Sequence, residues 1–494
     1  MSFLENIKRK SGKKWIIFYS FFLTNILAII GIIILLEPYW LDINYYAPLY
    51  IGVKLNLVLL IFLILLIPLI YGSILLITFL KEILRTDLIN PSKTDKFLPL
   101  IFILIYNFLI TLLLYLIQSY SKLILQRLEF RLIPIFLIIS VILILLIYPI
   151  QKYGPELKKY LSEKKIPSKS KAYIILTLIT GMYFIIFAYP LINSPASVIY
   201  GDLPPKPDII GHRGGAQLGP ENTIEVADVA LDYDIVGWEV DIAISKDGIP
   251  FLMHDETLTR TTDVEEVFPE RKDERADAFK WKELRKLDAG SWYVEDDPWG
   301  LIEKGLITEK QADSYKGAKI PSFEEVLNFT REKDLILDFD VRAPPEDHPF
   351  HEDFIEILFN MTLNLTEKLN KIMIPTLSDE WLDLIEENNA SKIWTYENYV
   401  NTGDGYSNAE YRRKYRDDFP IMVYTINSIE RFSQLWCLGV KWVKTDSPHK
   451  FADISEPIWY MQLEHYILLW IIVYIAAGTS LLLIRFKIKN ERSP

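Results

Sequence analysis

The chain has 494 residues, half of them hydrophobic, with a single Cys and a formal net charge of −11. The charge is unevenly distributed, because residues 1–192 carry 20 Lys and Arg against 9 Asp and Glu, whereas residues 193–463 carry 29 against 53. These figures exclude a uniform soluble domain and a disulfide framework within one chain, and so acidic a region is a poor binder of nucleic acid.

Six stretches of the sequence are long and apolar enough to cross a bilayer, which requires about 20 residues. They lie at roughly 15–36, 55–80, 97–117, 132–150, 172–192 and 465–484. Lys and Arg cluster in the N-terminal segment, in the loops after the second and fourth stretches and in the C-terminal tail, which predicts that both termini are cytoplasmic. The stretches contain almost no ionisable residues, so we expect the bundle to be an anchor or a regulatory platform rather than a transporter.

This topology predicts three parts of the chain. Residues 1–192 form a five-span transmembrane region with a cytoplasmic N-terminus, residues 193–463 form the acidic domain, and residues 464–494 form a sixth span with a cytoplasmic tail. Because the acidic domain follows an odd number of spans, we expect it to face outward.

Within the acidic domain, short apolar runs alternate with helical patterns, which is typical of repeated βα units. Helices are predicted at Thr223–Leu231 and Ser322–Phe329, among others. Eight strands are predicted, at Asp208–Gly211, Gly237–Ile244, Pro250–His254, Leu335–Val341, Lys371–Pro375, Lys392–Thr395, Pro420–Tyr424 and Trp442–Thr445. Eight such units predict an α/β fold, a (β/α)8 TIM barrel inserted in a bundle of about six transmembrane helices.

Two polar segments, 264–282 and 293–319, exceed what a minimal barrel needs. We interpret them as long loops over the face that carries the strand ends. Long loops in compact domains are often functional, and a plain surface insertion is an equally open interpretation.

Chemically active side chains occur where the predicted strands end, as in TIM-barrel sites. His212 and Arg213 lie in a Gly-rich turn, which lets a ligand approach the backbone and offers a guanidinium to a phosphate. Glu239 and Asp241 are two residues apart in a strand, so both carboxylates face one space and favour Mg²⁺ or Ca²⁺. His254 ends the next predicted strand. Two imidazoles beside a carboxylate-bound cation are a suitable set for cleaving a phosphodiester.

A second strand repeats the carboxylate spacing, in the segment 338–342. Either Asp338 or Asp340 could complete the metal site, while Arg342 could meet a phosphate. His348 and His351 have the spacing of a metal pair, but a solvated loop pair is the simpler interpretation.

Motifs across residues 208–450 resemble, in order, those of the glycerophosphodiester phosphodiesterase (GDPD) family. They are His212-Arg213-Gly214, Pro220-Glu221-Asn222-Thr223, Glu239-x-Asp241, Asp247-Gly248-x-Pro250, His254-Asp255, Asp288-Ala289-Gly290-Ser291-Trp292, Ile320-Pro321-Ser322-Phe323-Glu324-Glu325, Tyr424-Thr425-Ile426-Asn427 and Thr445-Asp446. Other segments, such as Leu435-Trp436-Cys437 and Pro457-Ile458-Trp459, resemble the multi-pass animal members, in which the catalytic domain lies outside the cell between the fifth and sixth spans.

The resemblance implies roles for individual residues. His212 and His254 correspond to the general acid/base pair, and Arg213 would contact the phosphate. Glu239 and Asp241 correspond to metal ligands. The family's third ligand usually lies in a Glu-x-Lys motif, which is Asp340-x-Arg342 here.

The resemblance also implies a function: a metal-dependent hydrolase anchored in the membrane, which acts at the outer face of the plasma membrane on substrates such as glycerophosphoinositol or glycerophosphocholine. In the family's reaction, the glycerol hydroxyl next to the phosphate attacks it, and water then opens a cyclic intermediate. One alternative is phospholipase C- or D-like cleavage of lipid or glycosylphosphatidylinositol head groups. A receptor with a decayed barrel is a non-enzymatic alternative, which the presence of both imidazoles and at least three acids disfavours.

Overall fold

The computed structural model describes residues 12–35, 40, 56–84, 91–116, 194–375 and 379–490, together with nine single positions between 133 and 190. The chain divides into two compact units, Met1–Leu128 and Glu129–Pro494. The first unit is helical where it is described. The second contains a β-sheet, the helices around it and a long apolar helix near the C-terminus.

The first unit contains three long helices, α1 (Gly12–Leu35), α2 (Leu57–Leu84) and α3 (Lys93–Leu116). Gly72 lets α2 approach α1, because a Cβ at this position would lie 2.7 Å from the ring of Phe22. The amides of Asn25 and Asn107 join α1 to α3 through hydrogen bonds of 2.9 and 3.3 Å. Small residues and amide pairs of this kind are common between helices in membranes.

Among the described residues, two helices are long and apolar enough to cross a bilayer, over Val58–Thr78 and Leu463–Lys487. A shorter apolar stretch runs over Phe18–Ile34. The spans expected at 132–150 and 172–192 lie almost entirely outside the described residues. The described residues therefore contain helices that could cross a membrane, but the expected bundle of about six is not confirmed.

The second unit contains the strands. They are β1 (Val198–Ile199), β2 (Asp208–Gly211), β3 (Ile235–Ile244), β4 (Pro250–Leu252), β5 (Ile336–Val341), β6 (Ile372–Met373), β7 (Val400–Gly403), β8 (Ile421–Tyr424), β9 (Trp442–Thr445) and β10 (Met461–Gln462). The strands β6-β5-β3-β2-β9-β8-β7 follow one another in a single parallel sheet, and β4 pairs with β3 from outside this path. The acidic domain therefore has the curled parallel sheet expected of an α/β fold.

Helices lie between and after the strands of this unit. They are α4 (Ile224–Ala230), α5 (Val264–Val267), α6 (Trp281–Leu284), α7 (Ser291–Asp296), α8 (Glu309–Tyr315), α9 (Phe323–Glu332), α10 (Phe354–Leu365), α11 (Asp379–Glu387), α12 (Asn408–Arg416), α13 (Ile429–Cys437) and α14 (Leu463–Asn490). Capping explains why α9 begins where it does, because Ser322 and Glu325 form a reciprocal capping box. Its inner face packs on the sheet around Trp238 and Phe339, both fully buried.

Two of the predicted strands differ from the structure, and one observed strand of the sheet was not predicted. Pro250–His254 is not a barrel strand: β4 ends at Leu252 and is antiparallel to β3. The reason is the tight turn at Gly248, whose φ of +86° favours glycine, between Ser245 and Ile249. The predicted strand Lys392–Thr395 is reduced to one isolated parallel bridge, Met373 to Trp394, and β7 was not predicted.

The chain enters and leaves the sheet domain through paired segments. β1 and β10 are parallel, with Val198 opposite Met461, directly before α14. The guanidinium of Arg412, which is buried, donates to the carbonyl oxygens of Pro195 (2.6 Å) and Val198 (3.1 Å). The entry segment is therefore fixed both to the exit segment and to α12.

Candidate functional site

The candidate site lies at the carboxyl ends of neighbouring parallel strands. His212 begins a short 3₁₀ turn directly after β2, and Glu239 and Asp241 lie in the middle of β3. In the β3–β5 register, Asp241 is opposite Asp340. Since parallel strands hold paired residues at the same level, these side chains meet on the inner face of the sheet.

Glu239, Asp241 and Asp340 form a group in which one carboxylate oxygen of each lies within 4.8 Å of the others. Glu239 and Asp241 are 2% and 1% exposed. Three hard oxygen donors at this spacing could hold Mg²⁺ or Ca²⁺. The guanidinium of Arg342 already contacts this group, donating from one Nη to Asp241 (2.7 Å) and Asp340 (3.0 Å), which shows that the site favours a cation.

Positive groups determine the ionisation of these acids. Burial alone would raise the pKa of Asp241, but Arg213, His254 and hydrogen bonds from Asn222 and Arg342 together lower it. Burial raises the pKa of Asp340, and Arg342 opposes this only in part. Asp241 is therefore the firmly ionised member of the pair.

Asp338, the competing candidate for the third ligand, lies apart from this group. It is opposite Glu239 in the strand register, and Lys444 of β9 forms an ion pair with it at 2.5 Å. Both side chains are buried, at 0% and 4% exposure. Burial raises the pKa of Asp338 to about 6, against the attraction of Lys444. The geometry thus favours Asp340 as the third carboxylate.

His212 is oriented by a half-buried carboxylate. Its Nδ1 donates to Asp446 Oδ1 at 2.5 Å, and Asp446 accepts a second hydrogen bond from the amide of Asn427 at 2.7 Å. The other ring nitrogen, Nε2, lies 3.8 Å from Glu239. Burial would lower the pKa of His212, but the charges of Asp446 and Glu239 outweigh it and raise the pKa. Nε2 is therefore the atom available to a substrate.

His254 has a similar partner on the other side of the carboxylate group. Its Nδ1 donates to Asp255 at 2.7 Å. Arg260 holds Asp255 in place through hydrogen bonds of 2.5 and 2.9 Å and also donates to Glu221. The β3–β4 hairpin brings this histidine to the site, because the N–H of Met253 donates to the carbonyl of Asp241.

Arg213 connects the His212 turn to the carboxylates. It has a φ of 51°, an uncommon conformation for a residue with a side chain. This turn directs its backbone N–H to Glu239 (2.9 Å) and its guanidinium to Glu221 (3.0 Å), with Nε 3.4 Å from Asp241. Such backbone strain is typical of functional turns.

All seven predicted site residues lie in this region: His212, His254, Glu239, Asp241, Asp340, Arg213 and Arg342. By contrast, His348 and His351 contact backbone groups of their own loop, the N–H of Phe350 and the carbonyl of Pro344. Sequence reasoning assigned no role to the residues that hold the site residues in place, namely Glu221, Asn222, Asp255, Arg260, Asn427, Lys444 and Asp446. Most of them lie in the motifs that resemble the family, and this signal could have identified them. Lys444 lacks such a signal, because its partner Asp338 is 106 residues away in the chain, in another strand.

Comparison with known proteins agrees with this geometry. Residues 212–393 match the family described as "Glycerophosphoryl diester phosphodiesterase family". The chain is 31% identical over 335 residues to glycerophosphoinositol inositolphosphodiesterase GDPD2 of Mus musculus, which covers 64% of this chain and 61% of the mouse protein. It is 32% identical over 317 residues to glycerophosphodiester phosphodiesterase domain-containing protein 5 of Homo sapiens, covering 62% of this chain and 52% of that protein.

Among solved structures, the chain is similar to glycerophosphodiester phosphodiesterase from Agrobacterium tumefaciens, at 20% identity and a TM-score of 0.38, over 50% of this chain and 100% of that one. The chain spans about three fifths of the length of mouse GDPD2 and about half of human GDPD5. Residues 212–393, which contain both imidazoles and the three grouped carboxylates, therefore match the glycerophosphoryl diester phosphodiesterase family, in a chain similar to the animal GDPD2 and GDPD5 proteins.

Proposed function

We propose that the chain hydrolyses glycerophosphodiesters, of the glycerophosphoinositol or glycerophosphocholine type, by acid/base catalysis with two histidines. One observation carries the proposal: two imidazoles, each with Nδ1 bound to a carboxylate, lie beside a group of three carboxylates, His212 near Glu239 and His254 near Asp241. This arrangement leaves one Nε2 to accept a proton and the other to donate one. The names of the relatives support the same substrate class.

In the proposed reaction, His212 Nε2 removes the proton from the glycerol hydroxyl that attacks phosphorus. His254 donates a proton to the oxygen of the alcohol that leaves. Water then opens the cyclic phosphate, with the two imidazoles in reversed roles. The raised pKa of His212 fits a base that must hold a proton during the first step.

We propose Glu239, Asp241 and Asp340 as the ligands of Mg²⁺ or Ca²⁺. Such a cation supplies stabilisation of negative charge on the phosphoryl oxygens. Arg213 and Arg342 would bind the phosphate, since guanidinium groups match its oxygens in pairs. Arg342 would then exchange its contacts with Asp241 and Asp340 for contacts with the substrate.

We further propose that the sheet closes into a (β/α)8 barrel and that the chain has the predicted topology. Residues 1–192 would contain five spans, residues 193–463 the extracellular catalytic domain, and residues 464–494 the sixth span and a cytoplasmic tail. The apolar helices at 58–78 and 463–487 support anchoring at the plasma membrane. Protease added outside intact cells should cleave within 193–463; a fully shielded domain would contradict the outward orientation.

The activity is testable with the purified full chain in detergent and a panel of glycerophosphodiesters in Mg²⁺ or Ca²⁺. His212→Ala and His254→Ala should each lower kcat about 100- to 10,000-fold. His465→Ala, an exposed histidine remote from the site, is the matched control and should retain activity. If the two site variants equal the wild type, the proposed function is wrong.

The same preparation tests the role of the metal independently of the imidazoles. EDTA should abolish turnover, and added Mg²⁺ or Ca²⁺ should restore it. Calorimetric titration of the cation into Asp241→Asn should show weaker binding than into the wild type. Activity and cation binding that both resist these changes would contradict the metal assignment.

Phospholipase-like cleavage is the second candidate, because the domain continues directly from β10 into the apolar helix α14. A soluble glycerophosphodiester and the matching diacyl phospholipid in vesicles distinguish the two. We expect the soluble substrate to be preferred.

A further inference from the structure

The helix α12 concentrates positive charge in an otherwise acidic domain. Residues 193–463 as a whole carry 29 Lys and Arg against 53 Asp and Glu. The nine residues of α12 contain one acid, Glu410, whose carboxylate accepts hydrogen bonds from the N–H (2.9 Å) and the hydroxyl (2.7 Å) of Ser407 at the start of the helix. The cations of the helix are Arg412, Arg413, Lys414 and Arg416. The helix therefore has a net positive charge.

Two guanidinium groups of α12 lie over the ring of Tyr200, in the segment that enters the domain. The Cζ atoms of Arg412 and Arg416 are 4.8 and 5.7 Å from the ring centroid, within the range of cation–π attraction. Tyr200 is 48% exposed, and its hydroxyl shares a hydrogen bond of 2.7 Å with Ser194. The entry segment and α12 thus form one surface that is both aromatic and cationic.

This surface lies at the level where the apolar helix α14 begins. The pairing of β1 with β10 ends with Ile199 opposite Gln462, so Tyr200 is level with Leu463, the first residue of α14. One turn later, Ile467 and Leu468 are exposed. Since α14 is long and apolar enough to cross a bilayer, the layer of lipid head groups would lie at the level of Tyr200.

The residues before β10 add apolar and aromatic side chains at the same level. Ile458 is 51% exposed, although its N–H is fixed by a hydrogen bond of 3.2 Å to the hydroxyl of Ser433 in α13. Trp459 and Tyr460 follow and are half-buried. Trp and Tyr are enriched where membranes meet water, so this composition fits contact with lipid head groups.

Two guanidinium groups of this surface are available to an anion. Arg413 and Arg416 are exposed and three residues apart, on one side of the helix. In the part of the chain that the structure describes, neither has a carboxylate within ion-pair distance, although Asp417 and Asp418 follow directly in the sequence. A guanidinium matches the paired oxygens of a phosphate, which every phospholipid head group provides.

We propose that Tyr200, Arg413, Arg416, Ile458 and Tyr460 form a juxtamembrane surface that docks the catalytic domain on the bilayer that α14 enters. Arg413 and Arg416 bind the phosphates of lipid head groups, and the apolar and aromatic side chains lie among those head groups. The inference rests on the proposed membrane anchoring and deepens it, because the domain is then held against the bilayer.

The test uses the full chain in nanodiscs that contain phosphatidylcholine and phosphatidylglycerol. Ala409→Cys, in a Cys437→Ala background, carries a fluorophore on α12 one turn before Arg413. Lipid with a spin label on its head group should quench this fluorophore. Arg413→Gln/Arg416→Gln should lower the quenching by about half or more, and 1 M salt should act in the same direction, because it shortens the screening length to about 3 Å.

A matched charge variant controls for the loss of two cations. Lys280→Gln/Lys282→Gln changes exposed residues beside β4, which pairs with β3, whereas α12 leads into β8 on the other side of β2 and β9. This variant should leave the quenching unchanged. Turnover of a soluble glycerophosphodiester should stay within about twofold in every variant, which shows that each is folded, since none of these residues contacts the site.

Equal quenching in the wild type and in Arg413→Gln/Arg416→Gln would overturn the proposal. Weak quenching by the labelled lipid together with protection from aqueous iodide would also overturn it, because a second copy of the chain would then cover the surface. A wild type that is quenched but inactive on every glycerophosphodiester would refute the proposed activity and support the docking, whereas an active wild type without quenching would refute the docking alone.

Discussion

The two sides of the site differ in how much space they leave. Around His212, the ring is enclosed by Asp446, Asn427 and the strained Arg213 turn. Around His254, an equivalent carboxylate contact coexists with a cavity of about 300 Å³. We call the surroundings of His212 the closed side and those of His254 the open side. From this difference we infer that the closed side activates the attacking hydroxyl and that the leaving alcohol departs through the open side.

The largest expected effect, and the strongest test of these two roles, comes from a change of the leaving group. His254→Ala should lower kcat about 100- to 10,000-fold on a glycerophosphodiester of an ordinary alcohol, because the departing oxygen then has no acid. On a p-nitrophenyl diester of glycerol, whose phenolate needs no proton, the loss should shrink to within about tenfold.

His212→Ala should stay impaired on both substrates, since the attacking hydroxyl is the same. The measurement is steady-state kcat for the two variants and the wild type. If the p-nitrophenyl substrate restored the activity of His212→Ala rather than that of His254→Ala, the acid and base roles of the two histidines would be reversed.

The buried ion pair of Lys444 and Asp338, next to the grouped carboxylates, tests the part of the core that supports both sides of the site. Lys444→Met leaves Asp338 fully buried without its cation, and breaking such a pair typically costs about 3–5 kcal/mol. We expect a clearly lower thermal unfolding midpoint in detergent.

The double variant Lys444→Met/Asp338→Leu should recover much of this loss, because Asp338 is then no longer an unpaired buried charge. Additive destabilisation in the double variant would contradict the pairing. The control is Lys316→Met, whose ion pair with Asp313 is exposed, so the unfolding midpoint should stay nearly unchanged.

The carboxylates behind the two imidazoles should differ in importance. Asp446→Asn removes the group that orients and charges His212, and we expect a loss of about 10- to 100-fold in kcat/KM. Asp446 raises the pKa of His212, so its removal should shift the acidic limb of the kcat/KM profile to lower pH.

Asp255→Asn should cost less, within about tenfold, because Arg260 retains Glu221 as a partner and the open side tolerates movement. An unshifted pH profile in Asp446→Asn would show that Asp446 has a structural role only.

The last prediction concerns His449 and the stability of the protein at acidic pH. Burial lowers the pKa of His449, three residues after Asp446, to about 4. The unfolded chain binds this proton near pH 6.5, so stability is full above that pH and is lost as the pH falls from about 6.5 to about 4.

The slope from this one group should not exceed about 1.4 kcal/mol per pH unit. His449→Phe should flatten the dependence of the unfolding midpoint on pH over this window. An unchanged slope would mean that other groups control the acid sensitivity.

Much of the site was predictable from sequence because its residues lie in short motifs at strand ends. The hairpin was not predicted, although Asp247-Gly248 between apolar runs is a typical hairpin signal; it was overridden by the expectation of eight parallel strands. β7 was missed because Asn401 and Gly403 have low strand propensity. The choice between Asp338 and Asp340 depended on the strand register and on Lys444, which one sequence does not reveal.

The products formed from glycerophosphoinositol are the most direct test of the central claim. It states that the glycerol hydroxyl, activated by His212, attacks phosphorus and that the inositol oxygen, protonated by His254, leaves. ³¹P NMR of the reaction by the full chain in Mg²⁺ shows which product retains the phosphate. The account predicts glycerol phosphate and free inositol. Inositol phosphate and free glycerol would contradict it, because the polyol would then have kept the phosphate and glycerol would have left.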